Sequence, residues 1–558
     1  MFKSKLALIL AILMLTLPVL TSCGNETSTP PAAENPASED PVSEDPVAET
    51  PAALTDKVLR IATSDNPATL DGQKTSEYYR EPLNMFDRLV EAVTVDGKPQ
   101  LIPGLAKTWD VTEDGLTYTF HLEEGVKYHN GADFTADDVL YSIERMMNPA
   151  TAAMNTDFYD MILGASEMYE GEADHVEGVK VLDDYTVEIT LEEPFAPFLA
   201  NLATPGCSIF DRESTENAKD QFGIDPALTP GTGPFKIESW SVNEKLVLVK
   251  NEDYFKGAPQ IDGYVVTVIP DAETQRMMFE SGEIDVYDTS EARTQVPYFK
   301  SHEHYKDYLV SGPEAGLYFY VFNYQQEPYN NLKVRQALQM AIDRQAMVES
   351  MYDGEGMVLN TFLPQSVLGH NGAAKEIEYN PEKAKQLLEE AGYPNGFEME
   401  IIQTANSPSI LEMNEVAQSM WSQIGVKVKI TQVDEATYYA MRAAGEIPVY
   451  RSVWWADYND PDNFYYTFFS EKNAVVRSTC YQNAEVFKGL DKARTMVDQD
   501  ERMKFYQEMD EIIVHEDAAI LPLFQMNKIF VVSDRVKEFH VSWNGWSDMS
   551  FYDVVIEN

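Results

Sequence analysis

The chain has 558 residues, with 92 acidic against 42 basic side chains and a formal net charge of −50. This length exceeds what one hydrophobic core supports and predicts two or three domains. The negative charge would repel phosphates, which argues against nucleic acid or an anionic lipid surface as a partner.

The first residues are typical of an export signal. Lys3 and Lys5 precede an apolar run over residues 6–20, which is shorter than a spanning helix and has the basic start of a secretory signal. Leu20-Thr21-Ser22-Cys23 looks like a bacterial lipobox, which predicts a lipoprotein signal peptide over 1–22 and a lipid on Cys23. The alternative is an ordinary signal peptide with an accidental cysteine.

Residues 23–55 follow as an acidic, proline-rich segment with almost no large apolar side chain. Such a segment cannot offset its ordering entropy by burial, so we expect a disordered tether. A lipid at one end and a folded body at the other place the protein at the cell membrane, facing outward.

The body that starts near Asp56 alternates between strand and helix patterns, which predicts mixed α and β structure. In its first part we expect a strand at 58–62, a helix at 79–90, a hairpin with strands around 108 and at 118–122, and a helix capped by Thr135 and Asp138. Further strands are predicted within 179–191, at 246–249 and at 265–269.

The pattern changes near Gly316, where helix-then-strand units begin. We expect a strand at 319–323, a long helix at 332–351, a helix from Asn380 to Gly392, a helix through Trp421, and strands at 426–430 and 448–455.

No catalytic constellation stands out. The sequence lacks a phosphate loop, a dinucleotide fingerprint, a Gly-x-Ser-x-Gly elbow and a His-Glu-x-x-His motif. His302 and His304 are the only close histidine pair, in a polar stretch where solvation is favoured over metal binding. We therefore expect neither an enzyme nor a metal or other cofactor. Whether Cys207 pairs with Cys480 stays open, because their spacing in the sequence favours neither a disulfide nor free thiols.

The stretch from Ser452 to Phe469, SVWWADYNDPDNFYYTFF, combines two tryptophans with three acids. A carboxylate just beyond two tryptophans is partly desolvated and calls for a cationic partner. On the residues alone, however, a turn capped by an aspartate beneath a buried aromatic cluster is favoured over a ligand anchor.

Several motifs, in order, cover almost the whole body: LIPGLA followed by Trp109, GLTYTFHLEEGVKYHNGADFTADDVLYSIER, GTGPFKIESW, GEIDV, VRQALQMAIDR and NPEKAKQLLEEAGYP. With these motifs the chain resembles the bacterial extracellular solute-binding proteins of family 5, receptors of peptide and nickel ABC importers. Its ligand segment, RSVWWADYNDP, resembles that of the oligopeptide-binding members.

The resemblance implies roles for individual residues. Asp457 would bind the α-ammonium of a peptide, and Arg451, six residues earlier, the carboxylate of short peptides. Val453, Trp454 and Trp455 would pair with the peptide backbone and line its pockets. Ser76, within a facing strand at 75–77, completes the implied site, whereas Ile410 stands where some relatives carry a histidine for longer peptides.

The resemblance also implies a bilobal fold of the periplasmic-binding-protein type, class II, with hinge-linked lobes. Lobe I would comprise 56–88, 201–316 and 526–558, with an extra subdomain at 89–200, and lobe II would comprise 317–525. The expected function is that of a monomeric, lipid-anchored receptor that delivers oligopeptides to ABC permease subunits with cytoplasmic ATPases.

Three alternatives remain open at this point. The ligand is a nickel chelate, haem, sugar or antibiotic; the lipoprotein senses a peptide pheromone or acts as an adhesin; or the chain is an enzyme.

Overall fold

The structure is a computed structural model that describes residues 56–557 except 77, 96–97, 291 and 544–548. The predicted signal peptide, Cys23 and the tether lie outside the described residues. The described residues form one compact unit.

Strands are numbered in chain order. They are β1 Val58–Thr63, β2 Val90–Val95, β3 Lys98–Pro103, β4 Ala106–Val111, β5 Thr117–Leu122, β6 Val179–Asp183, β7 Thr186–Thr190, β8 Phe235–Ser241, β9 Lys245–Lys250, β10 Gly263–Val268, β11 Val286–Asp288, β12 Leu309–Pro313, β13 Gly316–Phe322, β14 Gly356–Val358, β15 Glu398–Thr404, β16 Lys427–Val433, β17 Val449–Trp455, β18 Ile520–Val532, β19 Val536–Lys537 and β20 Val555–Ile556.

Helices are numbered in the same way. They are α1 Arg80–Met85, α2 Ala136–Met147, α3 Ala165–Tyr169, α4 Phe198–Leu202, α5 Arg212–Ala218, α6 Ala272–Glu280, α7 Val296–Ser301, α8 Leu332–Met340, α9 Arg344–Tyr352, α10 Pro381–Glu390, α11 Pro408–Ser422, α12 Glu435–Ala443, α13 Asp462–Phe469, α14 Ala484–Arg494 and α15 Gln499–Asp510. The prediction of mixed α and β structure is confirmed.

The largest sheet has ten strands, and the long strand β18 pairs with different strands along its two halves. Its first half pairs with β13 and β14, and its second half pairs with β11 and β12. The sheet continues on one side through β1, β10, β9 and β8, and ends on the other side at β17. Between β12 and β13, Glu314 N donates to Met526 O over 3.0 Å. The β12–β13 segment and β18 therefore run side by side across the middle of the sheet.

A second sheet has the order β4-β5-β7-β6 and packs against α2. The helix begins with the predicted capping box, in which Thr135 and Asp138 satisfy each other's backbone N–H groups. The hydrophobic core of this region draws its residues from between Leu89 and Ile209. Other core clusters lie on either side of the ten-stranded sheet.

Two predicted helices differ from the structure. The helix expected at 79–90 stops at Met85, because the Met85 carbonyl accepts a hydrogen bond from Gly233 N at 2.8 Å and Phe86 turns into extended backbone. A side chain at Gly231, in the same GTGPF turn, would place its Cβ 1.9 Å from Met85 O. Only glycine permits this close approach.

The helix expected at 332–351 is in fact two helices, α8 and α9. Asn380 N donates a hydrogen bond to the Met340 carbonyl at 2.8 Å, and α8 ends at this residue. Asp343 then caps α9 by accepting from Ala346 N at 2.9 Å. The buried Arg344 donates to the carbonyl of Ile377 and to Asn360 Oδ1, which fixes the break.

Helix α15 is fastened to the turn after β17 by a buried ion pair. Arg502 is 0% exposed and Asp460 3% exposed at their side chains, and the guanidinium donates to both carboxylate oxygens, at 2.7 and 2.5 Å. Arg502 Nε also donates to Ala493 O at 2.9 Å. Because both charged groups are fully hydrogen-bonded, this ion pair holds α15 and the turn in a fixed relative position.

Cys207 and Cys480 are both free and buried, so the question that the sequence left open is answered: they do not pair. Cys207 accepts a hydrogen bond from the Thr204 hydroxyl at 3.4 Å, whereas the Cys480 thiol faces Gly445 O at 3.7 Å.

Among the helices of the described ranges, none combines the length and the apolar character needed to cross a bilayer.

We predict that alkylation of the denatured, unreduced protein labels both Cys207 and Cys480. Mass mapping of labelled peptides checks this, with a pre-reduced sample as control. A Cys207–Cys480 crosslinked peptide in the unreduced sample would contradict it.

We predict that Asp460→Ala lowers the free energy of unfolding by about 3–5 kcal/mol, because Arg502 keeps its buried charge without a partner. Urea denaturation followed by circular dichroism measures the loss. Glu390→Ala is the matched control, since its ion pair with Lys333 is solvent-exposed and should leave the urea midpoint nearly unchanged. Equal effects of the two substitutions would refute the assignment.

Candidate functional site

Strand β17 forms one edge of the ten-stranded sheet. It pairs with β13 over its whole length, from Val449↔Phe322 to Trp455↔Gly316. Among the described residues no strand is hydrogen-bonded to its other edge, although β15 lies close beside β17. The main-chain groups of that edge that β15 does not cover can therefore pair with an extended ligand.

The chain leaves β17 at Ala456 and reaches α13 within a few residues, and Asn463 organises this connection. Its Oδ1 accepts from the Asp457 backbone N–H and from Trp454 Nε1, both at 3.0 Å. Its Nδ2 donates to Asp457 Oδ2 at 2.9 Å. One amide thus fixes the strand end and orients the carboxylate.

One carboxylate oxygen of Asp457 accepts a hydrogen bond within the described chain, and the other is open to a ligand. Oδ1 accepts no hydrogen bond from any described residue, while Oδ2 is held by Asn463. Burial raises the pKa of Asp457 to about 6, with a smaller rise from Asp157, while Asn463 and Arg477 act in the opposite direction. A partly desolvated carboxylate with a free oxygen gains strongly from a cationic hydrogen-bond donor.

The other two acids of this stretch already have protein partners. Asp460 pairs with Arg502, as described above. Asp462 accepts from Tyr458 and Tyr506 hydroxyls at 3.0 and 3.2 Å, and Arg494 Nε lies 3.3 Å from its Oδ1. Both aspartates hold the turn in place, which leaves Asp457 as the carboxylate that is open to a ligand.

Asp457 lines a cavity of about 730 Å³ between the β17–α13 connection and the end of the four-stranded sheet region. The charged side chains of its lining are Asp157, Asp160, Glu192, Glu193, Asp462, Lys472, Arg477, Asp491 and Arg494. Acids therefore outnumber bases around the cavity. Loss of hydration raises the pKa values of Asp157 and Asp160.

Arg477, one of the basic residues that line this cavity, packs on aromatic side chains near Asp457. Its guanidinium lies 4.7 Å from the centroid of the Trp454 ring and 5.2 Å from that of Phe468. Burial, followed by the charge of Arg442, lowers its pKa. It has no carboxylate within ion-pair distance among the described residues.

Asp457 also lines a second cavity, of about 370 Å³. On the far side this cavity is bounded by Arg88, Thr204, Tyr254, Lys256 and Trp543. The Asp457 carboxylate therefore lies where the two cavities meet.

The predicted site residues separate into two groups. Trp454 shares the larger cavity with Asp457. Arg451 and Trp455 instead flank Tyr318: the Arg451 guanidinium lies 4.7 Å from its ring centroid, and the Trp455 ring 6.5 Å. Val453 is the β-sheet partner of Tyr318. The structure thus does not bring Arg451 to the cavities of Asp457.

The facing strand expected at 75–77 is not formed at Thr75 and Ser76, and Glu77 lies outside the described residues. Ser76 lies in a bend and is half-buried. Tyr78 N donates to Thr75 Oγ1 at 3.3 Å and the Tyr79 hydroxyl to Thr75 O at 2.7 Å, so the backbone turns into α1 instead of extending. A ligand contact of Ser76 stays a prediction.

Sequence reasoning missed Asn463 and Arg477. An asparagine in the first turn of a helix resembles an ordinary capping residue, and Arg477 lies about twenty residues from Asp457, outside the ligand segment. No sequence motif indicates that the two side chains lie beside Asp457.

The described residues contain no group of three or more histidine, cysteine or acidic side chains arranged to hold a metal ion.

Comparisons with known proteins place the fold and the family. Residues 100–475 match the family model described as "Bacterial extracellular solute-binding proteins, family 5 Middle". Heme-binding protein A of Haemophilus influenzae is 31% identical, over 86% of this chain and 88% of that relative. The dipeptide-binding protein of Escherichia coli is 31% identical, over 85% of this chain and 90% of its own length.

Among solved structures, the Helicobacter pylori periplasmic binding protein DppA in complex with the peptide STSA superimposes with a TM-score of 0.71 at 29% identity. The match covers 90% of this chain and 98% of that chain. The predicted bilobal binding-protein fold is thereby confirmed, and the chain belongs to the bacterial extracellular solute-binding proteins of family 5.

Proposed function

We propose that this protein is the substrate-binding component of an ABC importer and captures short peptides in an extended conformation between its two lobes. The observation that carries this proposal is the geometry of Asp457. Its oriented, partly desolvated carboxylate has one open oxygen and lies just beyond the end of an edge strand. A peptide supplies both complements, an α-ammonium and a backbone in strand conformation.

Electrostatics supports an ammonium at this position. The cavity wall opposite β17 contributes Asp157, Asp160, Glu192 and Glu193, so the field around Asp457 favours a cation. A neutral ligand that displaced water from the open oxygen of this partly buried carboxylate would leave its charge without compensation.

Backbone pairing along Val453, Trp454 and Trp455 would contribute affinity without reading side chains, so we expect broad selectivity. The ligand side chains would enter the larger cavity, where water can bridge polar groups at little cost.

The continuous strand β18 and the β12–β13 crossing support a hinge. We propose the division predicted from the sequence: lobe I from 56–88, 201–316 and 526–558 with the subdomain 89–200, and lobe II from 317–525. Both crossing strands lie at the proposed boundaries. Closure around them would bury the ligand and present one surface to permease subunits.

We further propose that the receptor is a monomer held on the outer face of the cell membrane by a lipid on Cys23, with residues 23–55 as the tether. The sequence pattern at 20–23 supports this anchoring.

Haem is the second candidate ligand, because a relative of 31% identity is named a heme-binding protein. The described lining of the larger cavity contains no histidine, and its acids would oppose the haem propionates. Absorbance titration with hemin separates the two: a Soret shift at micromolar hemin, without peptide binding, would favour haem.

We predict that Asp457→Ala weakens binding of Ala-Ala-Ala by about 30-fold or more, because truncating one partner of a buried charge pair costs roughly 2–5 kcal/mol. N-acetyl-Ala-Ala-Ala should bind the unmutated protein comparably poorly. Isothermal titration calorimetry measures both. Asp491→Ala is the matched control: it removes another acid of the same cavity and should have a smaller effect. Equal affinity for free and acetylated peptide would remove the role of Asp457.

We predict that the affinity for Ala-Ala-Ala falls about tenfold between pH 7 and pH 5. The pKa of Asp457 is about 6, so acidification protonates the carboxylate while the peptide ammonium stays charged. The stabilising charge pair is therefore present above this pKa and lost below it. In Asp457→Asn, calorimetry should find weak binding with a nearly flat profile over this range; an unchanged slope would assign the pH dependence to another group.

A further inference from the structure

Arg494, the last residue of α14, contacts two walls of the larger cavity. Its guanidinium lies 4.0 Å from the centroid of the Tyr466 ring, and its Nε lies 3.3 Å from Asp462 Oδ1. Both partners belong to α13, in the part of the chain proposed as lobe II. The same guanidinium lies 4.6 Å from the centroid of the Phe195 ring, which belongs to the subdomain proposed for lobe I. One side chain therefore connects two parts of the chain that we assign to different lobes.

A backbone hydrogen bond joins the same two parts. Ala196 N donates to the Arg494 carbonyl at 2.7 Å, so two neighbouring residues of the subdomain contact this one arginine. Phe195 is 4% exposed and belongs to the hydrophobic core of the subdomain. A movement of α14 away from the subdomain would therefore break the hydrogen bond and separate the guanidinium from the ring at the same time.

The surroundings of this contact are loosely packed. A cavity of about 460 Å³ lies beside Phe195, with Tyr118 of the four-stranded sheet on one side and Met496 and Val497 on the other. Val497 is 70% exposed. Because little apolar area is buried here, the contacts of Arg494 contribute a large share of the free energy that keeps these two parts together.

We propose that the contact between Phe195 and Arg494 is a latch, which holds the lobes closed over Asp457 and sets the rate at which a bound peptide leaves. The inference rests on the proposed peptide-binding function and lobe division, and it adds the control of release. A cation over an aromatic face shifts an equilibrium by a factor of about 2 to 30. Because the latch forms only when the lobes meet, its loss speeds release more than it slows capture.

The test uses two substitutions that remove the contact but keep the bulk or the charge. Phe195→Leu keeps an apolar side chain without an aromatic face, and Arg494→Lys keeps a positive charge for Asp462 without the planar guanidinium. Arg442→Lys is the matched control, because this guanidinium lies 4.8 Å from the centroid of the Tyr439 ring within the single helix α12. Circular dichroism checks the folding of each variant.

Stopped-flow mixing with Ala-Ala-Ala, followed by tryptophan fluorescence, gives the rate constants of association and dissociation. In Phe195→Leu and in Arg494→Lys we expect dissociation to be about fivefold faster and association to change less than twofold, while Arg442→Lys keeps both rate constants. Because the two substitutions break one contact, the double variant should dissociate no faster than the faster single variant. Unchanged dissociation in both single variants would overturn the inference, and so would effects that multiply in the double variant.

Hydrogen exchange at Ala196 tests the latch without peptide, because this amide is bonded between the two proposed lobes. Mass spectrometry should show exchange about fivefold faster in Arg494→Lys than in the unmutated protein and in Arg442→Lys. Equal exchange in all three would overturn the inference.

The two measurements separate the latch from the proposed function. If Ala-Ala-Ala does not bind the unmutated protein, the proposed function fails, while the exchange rates at Ala196 still decide whether the latch exists. Should Phe195→Leu not fold, Arg494→Lys serves for both measurements.

Discussion

The arrangement of this molecule depends on β18, whose thirteen residues hydrogen-bond to strands on both sides of the middle of the sheet. The two halves of the sheet cannot slide independently, because a change of register in one half would move every side chain of β18 to the opposite face. Bending about the crossing at Glu314 is compatible with this constraint. The position of β17, and with it Asp457, relative to the rest of the molecule follows from the register that β18 imposes on β13.

The charge of Asp457 differs from those of the neighbouring acids. Asp457 is partly desolvated and has no ionic partner among the described residues, whereas the pair Asp460–Arg502 in the same turn is complete. Free energy that folding leaves unrecovered at such a position becomes available to a ligand that neutralises it. The complete pair and Asn463 hold Asp457 in place, so a ligand does not have to order its carboxylate.

The sequence predicted local structure well where one short segment determines it. The capping box of Thr135 and the strand β17 need only a few neighbouring residues, whereas the role expected of Asp457 came from the family resemblance and not from its neighbours. The break between α8 and α9 was missed because the apolar periodicity continues through it, while Asn380, distant in sequence, ends the first helix.

The free thiols have a consequence for resistance to oxidation. Cys207 is 1% exposed, and burial raises its pKa to about 12, so at neutral pH only about one thiol in 10⁵ is the reactive thiolate. The native state of the described body contains no crosslink between Cys207 and Cys480. Core packing alone protects the sulfur from oxidants, and this protection lasts as long as the core stays closed.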